Sequence, residues 1–116
     1  MASVLIVGID PHAVPGLDGE AVSAALEREL MRFGERGIDA GTVLVTWDGS
    51  AEGAIVEALA KQAWDVVVVG GGIRKAEALL PLFEQVVNLV RQHAPGAAIA
   101  FNTSVSDSVE AAERWL

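Results

Sequence analysis

Val66-Val67-Val68-Val69-Gly70-Gly71-Gly72-Ile73-Arg74-Lys75 is the stretch on which the fold turns. Four consecutive β-branched residues show no polar alternation, so the strand they form has both faces covered, as in a parallel sheet flanked by helices. Three glycines then end the strand, and the only adjacent pair of basic residues in the chain follows.

Outward from this stretch the same pattern repeats. Ser3–Ile9 (SVLIVGI) is a second apolar run, stopped by Asp10-Pro11. Thr42–Trp47 and Ala97–Phe101 complete a set of four predicted strands, the third spanning Asp65–Val69. Between the first two, Val22, Leu26, Leu30 and Phe33 recur at helical spacing with Glu27, Arg28 and Arg32 among them. Asp18 is the expected N-cap of that helix, and Gly34 and Gly37 end it. Ser50 is the expected cap of the next, whose core side is Ile55, Val56, Leu59 and Ala63.

After Gly72 the helical period is interrupted by Pro81, which is tolerated only in a first helical turn. The helix therefore starts near Leu80, and Gly70–Leu79 is a long loop with room for one short helical turn. Loops of that length in small domains are usually functional or mobile. The last helix is capped within Ser106-Asp107-Ser108, with Asp107 and Glu110 at capping-box spacing, and runs to Trp115-Leu116.

The alternation predicts one α/β domain over residues 1–116, with a four-stranded parallel sheet between two helical layers. Right-handed crossovers leave few topologies. The flavodoxin-like order 2-1-3-4 is the expected one, with 3-2-1-4 as the alternative.

Composition narrows the function classes. The 116 residues are 52% apolar and carry a formal net charge of −8. That charge disfavours nucleic acid and anionic membrane surfaces as partners. The absence of cysteine removes thiolate chemistry, disulfides and cysteine-ligated metals, and fits a cytoplasmic protein. The N-terminal apolar run has no basic flank and reads as a strand, not a signal peptide.

Ligands of open parallel sheets bind beyond the carboxyl ends of the strands, where strand order reverses. For order 2-1-3-4 that point lies between the loops Asp10–Leu17 and Gly70–Leu79. Gly70, Gly71 and Gly72 offer positive φ and close approach to backbone N–H groups, and Arg74 adds a fork suited to carboxylate or phosphate. Trp47, Asp48 and Asn102 are expected at the same edge. The expected ligand is a small anion. A tight turn with an exposed Arg74 is the competing reading.

Asp10 and His12 are the candidate catalytic pair, with His12 as general base and Asp10 orienting it. With Asp48 they would make a minimal metal set, but a turn cap and a solvated histidine account for them better, and no metal site is expected. His93 complements a helix dipole. The run G-G-G-I-R-K matches neither the dinucleotide nor the Walker pattern, which disfavours a nucleotide and leaves any cofactor unknown. No G-x-S-x-G elbow is present, and Ser104 and Ser106 read as caps.

Asp10, His12 and Gly16 are similar to the Asp-x-His-x-x-Gly of cobalamin-binding domains but one residue too widely spaced, and that family's Ser-x-Leu after the third strand is absent. Response-regulator receivers are similar in outline, but Gly70 stands where their phosphorylated aspartate would be. Val7–Pro11, V-V-V-G-G-G-I-R and Ala94-Pro95-Gly96 through Ile99-Ala100-Phe101-Asn102-Thr103 together resemble a group of short bacterial and fungal flavodoxin-like α/β proteins with no assigned activity. The resemblance covers most of the chain, implies the fold and carries over no catalytic residue.

Leu79, Leu80, Leu82, Phe83, Val86, Val87, Leu89 and Val90 cover more than one face of their helix. A stripe that wide suggests a second burial partner, expected as a homodimer through the Leu79–Val90 helix. A small-ligand binding module is therefore the leading reading of the sequence. A small hydrolase or transferase using His12 and Asp10, and a dimeric interaction subunit, are the alternatives.

Overall fold

Each apolar run becomes a strand of one parallel sheet. A computed structural model describes residues 1–116. The elements are β1 (Ser3–Ile9), α1 (Gly19–Glu35), β2 (Asp39–Val45), α2 (Ala51–Ala60), β3 (Val66–Val69), α3 (Gly71–Arg74), α4 (Leu80–His93), β4 (Ala98–Phe101) and α5 (Ser108–Glu113). Single 3₁₀ turns lie at Pro11–Ala13, Glu77–Leu79 and Val105–Asp107. The strand order is 2-1-3-4, all parallel. The chain order reverses between β1 and β3, as expected from the sequence.

Two apolar cores cover the two faces of the sheet. Leu5, Val7, Val67 and Val69 point to α2 and α4, where they meet Ile55, Leu59, Leu82 and Val86. Val4, Ile6, Val66 and Val68 point the other way, to Phe33 of α1 and Val109 and Ala112 of α5. The period-2 pleat thus sends alternate residues of each apolar run into different cores.

Strand β2 is Asp39–Val45 rather than Thr42–Trp47. It pairs with β1 along its whole length, from Ser3 opposite Asp39 to Ile9 opposite Val45. That pairing draws in Asp39, Ala40 and Gly41, whose composition conceals a strand. Gly41 lies beneath the ring of Trp64, and a Cβ there would stand 3.1 Å from Trp64 Cη2. The Trp64 indole N–H donates to Ala58 O at 3.0 Å.

The helix ends are partly as expected. Asp18 caps α1, its Oδ1 accepting the Ala21 N–H at 3.1 Å. Gly37 follows α1 with φ of 70°, a conformation that disfavours any side chain. Ser50 makes no side-chain cap on α2. Asp48 instead accepts the Ser50 N–H at 2.8 Å and its hydroxyl, which holds the Asp48 carboxyl below the usual carboxylate range. The capping box before α5 joins Ser104 and Asp107, three residues earlier than Asp107 and Glu110, because a 3₁₀ turn precedes the helix. Pro81 sits in the first turn of α4, as its chemistry requires.

One contact between α1 and α5 has no apolar component. Glu29 is buried on α1, and its Oε1 accepts the Val109 N–H of α5 at 3.0 Å. Arg32, one turn on, pairs with Glu29 at 2.8 Å. It also donates to Ser106 O at 3.1 Å and pairs with Glu110 of α5. A buried carboxylate thus satisfies an N–H in the first turn of another helix and is itself neutralised.

In α4, Leu82, Val86, Leu89 and Val90 are buried, and Phe83 meets Phe101 edge-on at 5.8 Å between ring centroids. Leu80 is 61% exposed. A charge at Val86 would therefore enter the core, so Leu80 is the position at which association through this helix is open to testing. No helix is long and apolar enough to cross a membrane.

Candidate functional site

The registers of the four strands define the last row of residues on the α1/α5 face. Gly8 stands opposite Leu44, and Val7 is opposite Val69, which places Gly70 level with Gly8. Val69 opposite Phe101 places Asn102 level with Gly70. The row reads Leu44, Gly8, Gly70, Asn102, so the two central strands carry no side chain at this level.

A cavity of about 530 Å³ stands on that row. Ile6, Gly8, Leu44, Gly70 and Asn102 form its floor, Val22 and Leu26 of α1 overhang it, and Val105 and Ser108 close the far side. Leu17, Lys75 and Thr103 are at its mouth. Val22 and Leu26 are only half-buried, whereas Phe33 near the other end of α1 is fully buried. The N-terminal half of α1 thus roofs a space, and its C-terminal half is seated on the sheet.

Neither floor glycine is required by its backbone. Positive φ occurs at Gly16 and Gly37 alone. A Cβ at Gly8 would meet the movable tip of Leu44 at 3.2 Å, and one at Gly70 would lie 3.4 Å from Val7 O. The expectation that Gly70, Gly71 and Gly72 adopt positive φ is therefore corrected. The Gly70 N–H also extends the β1–β3 ladder to Val7 O at 2.9 Å and is not open to a ligand. Gly72 is a glycine for crowding, since a Cβ there would stand 2.7 Å from Ile9 Cγ2.

Arg74 does not line the cavity. Its Nε–H donates to Val69 O at 2.9 Å, and its Nη2 donates to Asn102 O and, at 3.1 Å, to Asn102 Oδ1. The guanidinium lies over the Phe101 ring, 5.2 Å from its centroid. Burial lowers its pKa, opposed by the Asp107 charge. Asn102 is buried and passes the chain on, its Nδ2–H donating to Ser108 Oγ at 3.0 Å. Arg74 thus ties the ends of β3 and β4 together. Arg74→Ala is expected to lower stability by about 1–3 kcal/mol through the carbonyls it orphans, read as a lower denaturant midpoint at unchanged m.

Lys75 is the cation that does line the cavity. Its stem lies over Gly71, where a Cβ would be 3.3 Å from Lys75 Cε, and its Nζ donates to Thr103 O. The side chain crosses the mouth from the loop after β3 to the loop after β4.

The other candidates lie elsewhere. Asp10 caps a turn, its Oδ1 accepting the His12 N–H at 2.9 Å. The His12 ring sits against Gly19 and has its Nε2 3.5 Å from Ser23 Oγ. Asp10 makes no bond to the imidazole, and neither residue lines the cavity, so the pair lacks the geometry of a base and its orienter. Trp47 and Asp48 line a separate depression with Gly49, Glu52 and Gln85. No three His, Asp or Glu side chains converge on a common point. Leu44 and Gly8 carry no site expectation from the sequence, and Lys75 enters it only as the second of the adjacent basic pair. The signal was available for Gly8, which interrupts an otherwise unbroken run of β-formers.

No protein-family model matches the chain, and no curated protein matches its sequence. Among solved structures, a putative lipoprotein from Peptoclostridium difficile 630, a fragment, is similar with a TM-score of 0.54 and 16% identity. The similarity covers 87% of this chain and 72% of that one. At that identity the likeness concerns the fold alone.

Proposed function

We propose that this protein is a binding module for a small anionic molecule, held in the cavity above Gly8 and Gly70 between the loops after β1 and β3. The observation that carries this reading is the row Leu44, Gly8, Gly70, Asn102. Two adjacent central strands lack side chains at the same level, at the edge where strand order reverses. Glycine in a strand weakens it, and a Cβ at Gly8 would displace only the movable tip of Leu44, 3.2 Å away. Stability is lower there than the fold allows, and what is gained is space, a trade typical of binding sites. The cavity volume lies within the range of small-molecule pockets.

The test is a thermal-shift screen of carboxylic acids, phosphosugars, nucleotides and flavins. A ligand at one hundred times its Kd stabilises the fold by about 2.7 kcal/mol, which is several degrees in Tm. A hit that protects the wild type in this way is the expected result. No shift from any anion at millimolar concentration contradicts the reading.

A further inference from the structure

Resting on that binding reading, we infer that the ligand class is a monocarboxylic acid with an apolar body, a medium-chain or arylalkyl acid rather than a phosphate ester or nucleotide. Three observations point there.

The first is the charge inventory. Lys75 is the only charged side chain lining the cavity, and no carboxylate lines it. One ammonium neutralises one negative charge. A phosphate ester near neutral pH brings up to two and a nucleoside polyphosphate more, and charge left unpaired beside apolar walls carries a desolvation penalty. The chain as a whole, at −8, adds to that penalty.

The second is the fate of Arg74. Phosphate recognition favours the bidentate fork of a guanidinium. The fork beside this cavity is bonded to Val69 O and Asn102 and stacked on Phe101. A lysine is a point charge without that geometry, sufficient for one carboxylate.

The third is the wall. Ile6, Ile9, Val22, Leu26 and Leu44 are aliphatic and line the space beneath α1. Leu17 and Leu44, at 44% and 39% exposed, are apolar side chains that a chain-like ligand would cover. A sugar or ribose would bring hydroxyls to this aliphatic wall, while on the polar side Asn102 and Ser108 already bond each other. An alkyl or aryl body removes apolar surface from water on both sides. The charged end then lies at the mouth, where Lys75 Nζ moves from Thr103 O to the carboxylate.

The experiment compares octanoate, 3-phenylpropionate, 1-octanol, glucose 6-phosphate and AMP by isothermal calorimetry, on the full chain and on Lys75→Met. Lys75 is exposed, and its replacement leaves both cores intact. Octanoate or phenylpropionate is expected to bind at least tenfold more tightly than either phosphate compound. Lys75→Met should weaken the acids about tenfold and leave octanol within a factor of about two. Tighter binding of glucose 6-phosphate or AMP overturns this inference and leaves the binding reading standing. So does unchanged octanoate affinity in Lys75→Met. If none of the five binds and the wider anion screen is also silent, the binding reading itself has failed.

Discussion

Glu29→Ala should lower the stability of this protein by about 1–3 kcal/mol, the usual cost when a buried donor loses its acceptor. For a chain of this length that is a fall in Tm of roughly 5–15 °C. The cost has two parts. The Val109 N–H, buried in the first turn of α5, loses its 3.0 Å acceptor. Arg32 loses its nearest carboxylate and is left with Glu110 and the Ser106 carbonyl. The substitution also opens space between α1 and α5, the two helices that bound the cavity. Chemical unfolding followed by circular dichroism checks it. A change under about 1 kcal/mol would mean that the α1–α5 contact rests on Phe33, Val109 and Ala112 alone.

The same clamp sets an acid dependence. Arg32 holds the Glu110 carboxyl below its ordinary 4.5. A carboxyl whose folded pKa is depressed contributes stability that is fully present above the unfolded value and is lost as pH falls through the folded one. Glu110→Gln should therefore be destabilising at pH 7 and progressively less so below pH ~4. A deficit that stays constant from pH 7 to pH 3 would show that the pairing with Arg32 contributes nothing, as many exposed pairs do.

Gly8→Val should make the protein more stable and weaken the binding proposed for the cavity. Valine suits a parallel strand, restricts the unfolded chain and adds buried apolar surface, together worth about 0.5–2 kcal/mol. Its Cβ stands 3.2 Å from Leu44 Cδ2, the end of a side chain that is free to move toward solvent. Its methyl groups enter the floor of the cavity. Affinity should fall more than tenfold, at least about 1.4 kcal/mol. Both changes together are diagnostic, since a merely damaged fold would lose stability and binding in parallel. Gly72→Ala is the contrasting control. It collides with Ile9 at 2.7 Å and should destabilise by about 1–3 kcal/mol.

Much of the fold was legible because its signals are local. Val66–Val69 and Ser3–Ile9 are apolar on both faces, and Pro81 fixes the start of α4 by stereochemistry. Strand β2 was misplaced because its first half is defined by pairing with β1, a long-range property that Asp39, Ala40 and Gly41 do not announce. The edge at which the cavity stands was legible for the same topological reason as the strand order. The division of labour within it was not. Arg74 and Lys75 are neighbours of like charge, and only their geometry separates the one that ties two strands together from the one at the cavity mouth. Glu29 looks like any surface glutamate of an amphipathic helix, since its partner lies 80 residues away. Asp10 and His12 looked catalytic as a pair, but the bond between them runs to the backbone N–H and not to the ring.

The most direct test of the proposed binding site is an amide chemical-shift map of ¹⁵N-labelled protein, titrated with the compound that gives the largest thermal shift. The largest perturbations are expected at Gly8, Gly70, Gly71 and Asn102, with Trp47, Asp48 and His12 little moved. Perturbations centred on Trp47 and Asp48, or on His12, with Gly8 and Gly70 unchanged, would contradict the proposed site.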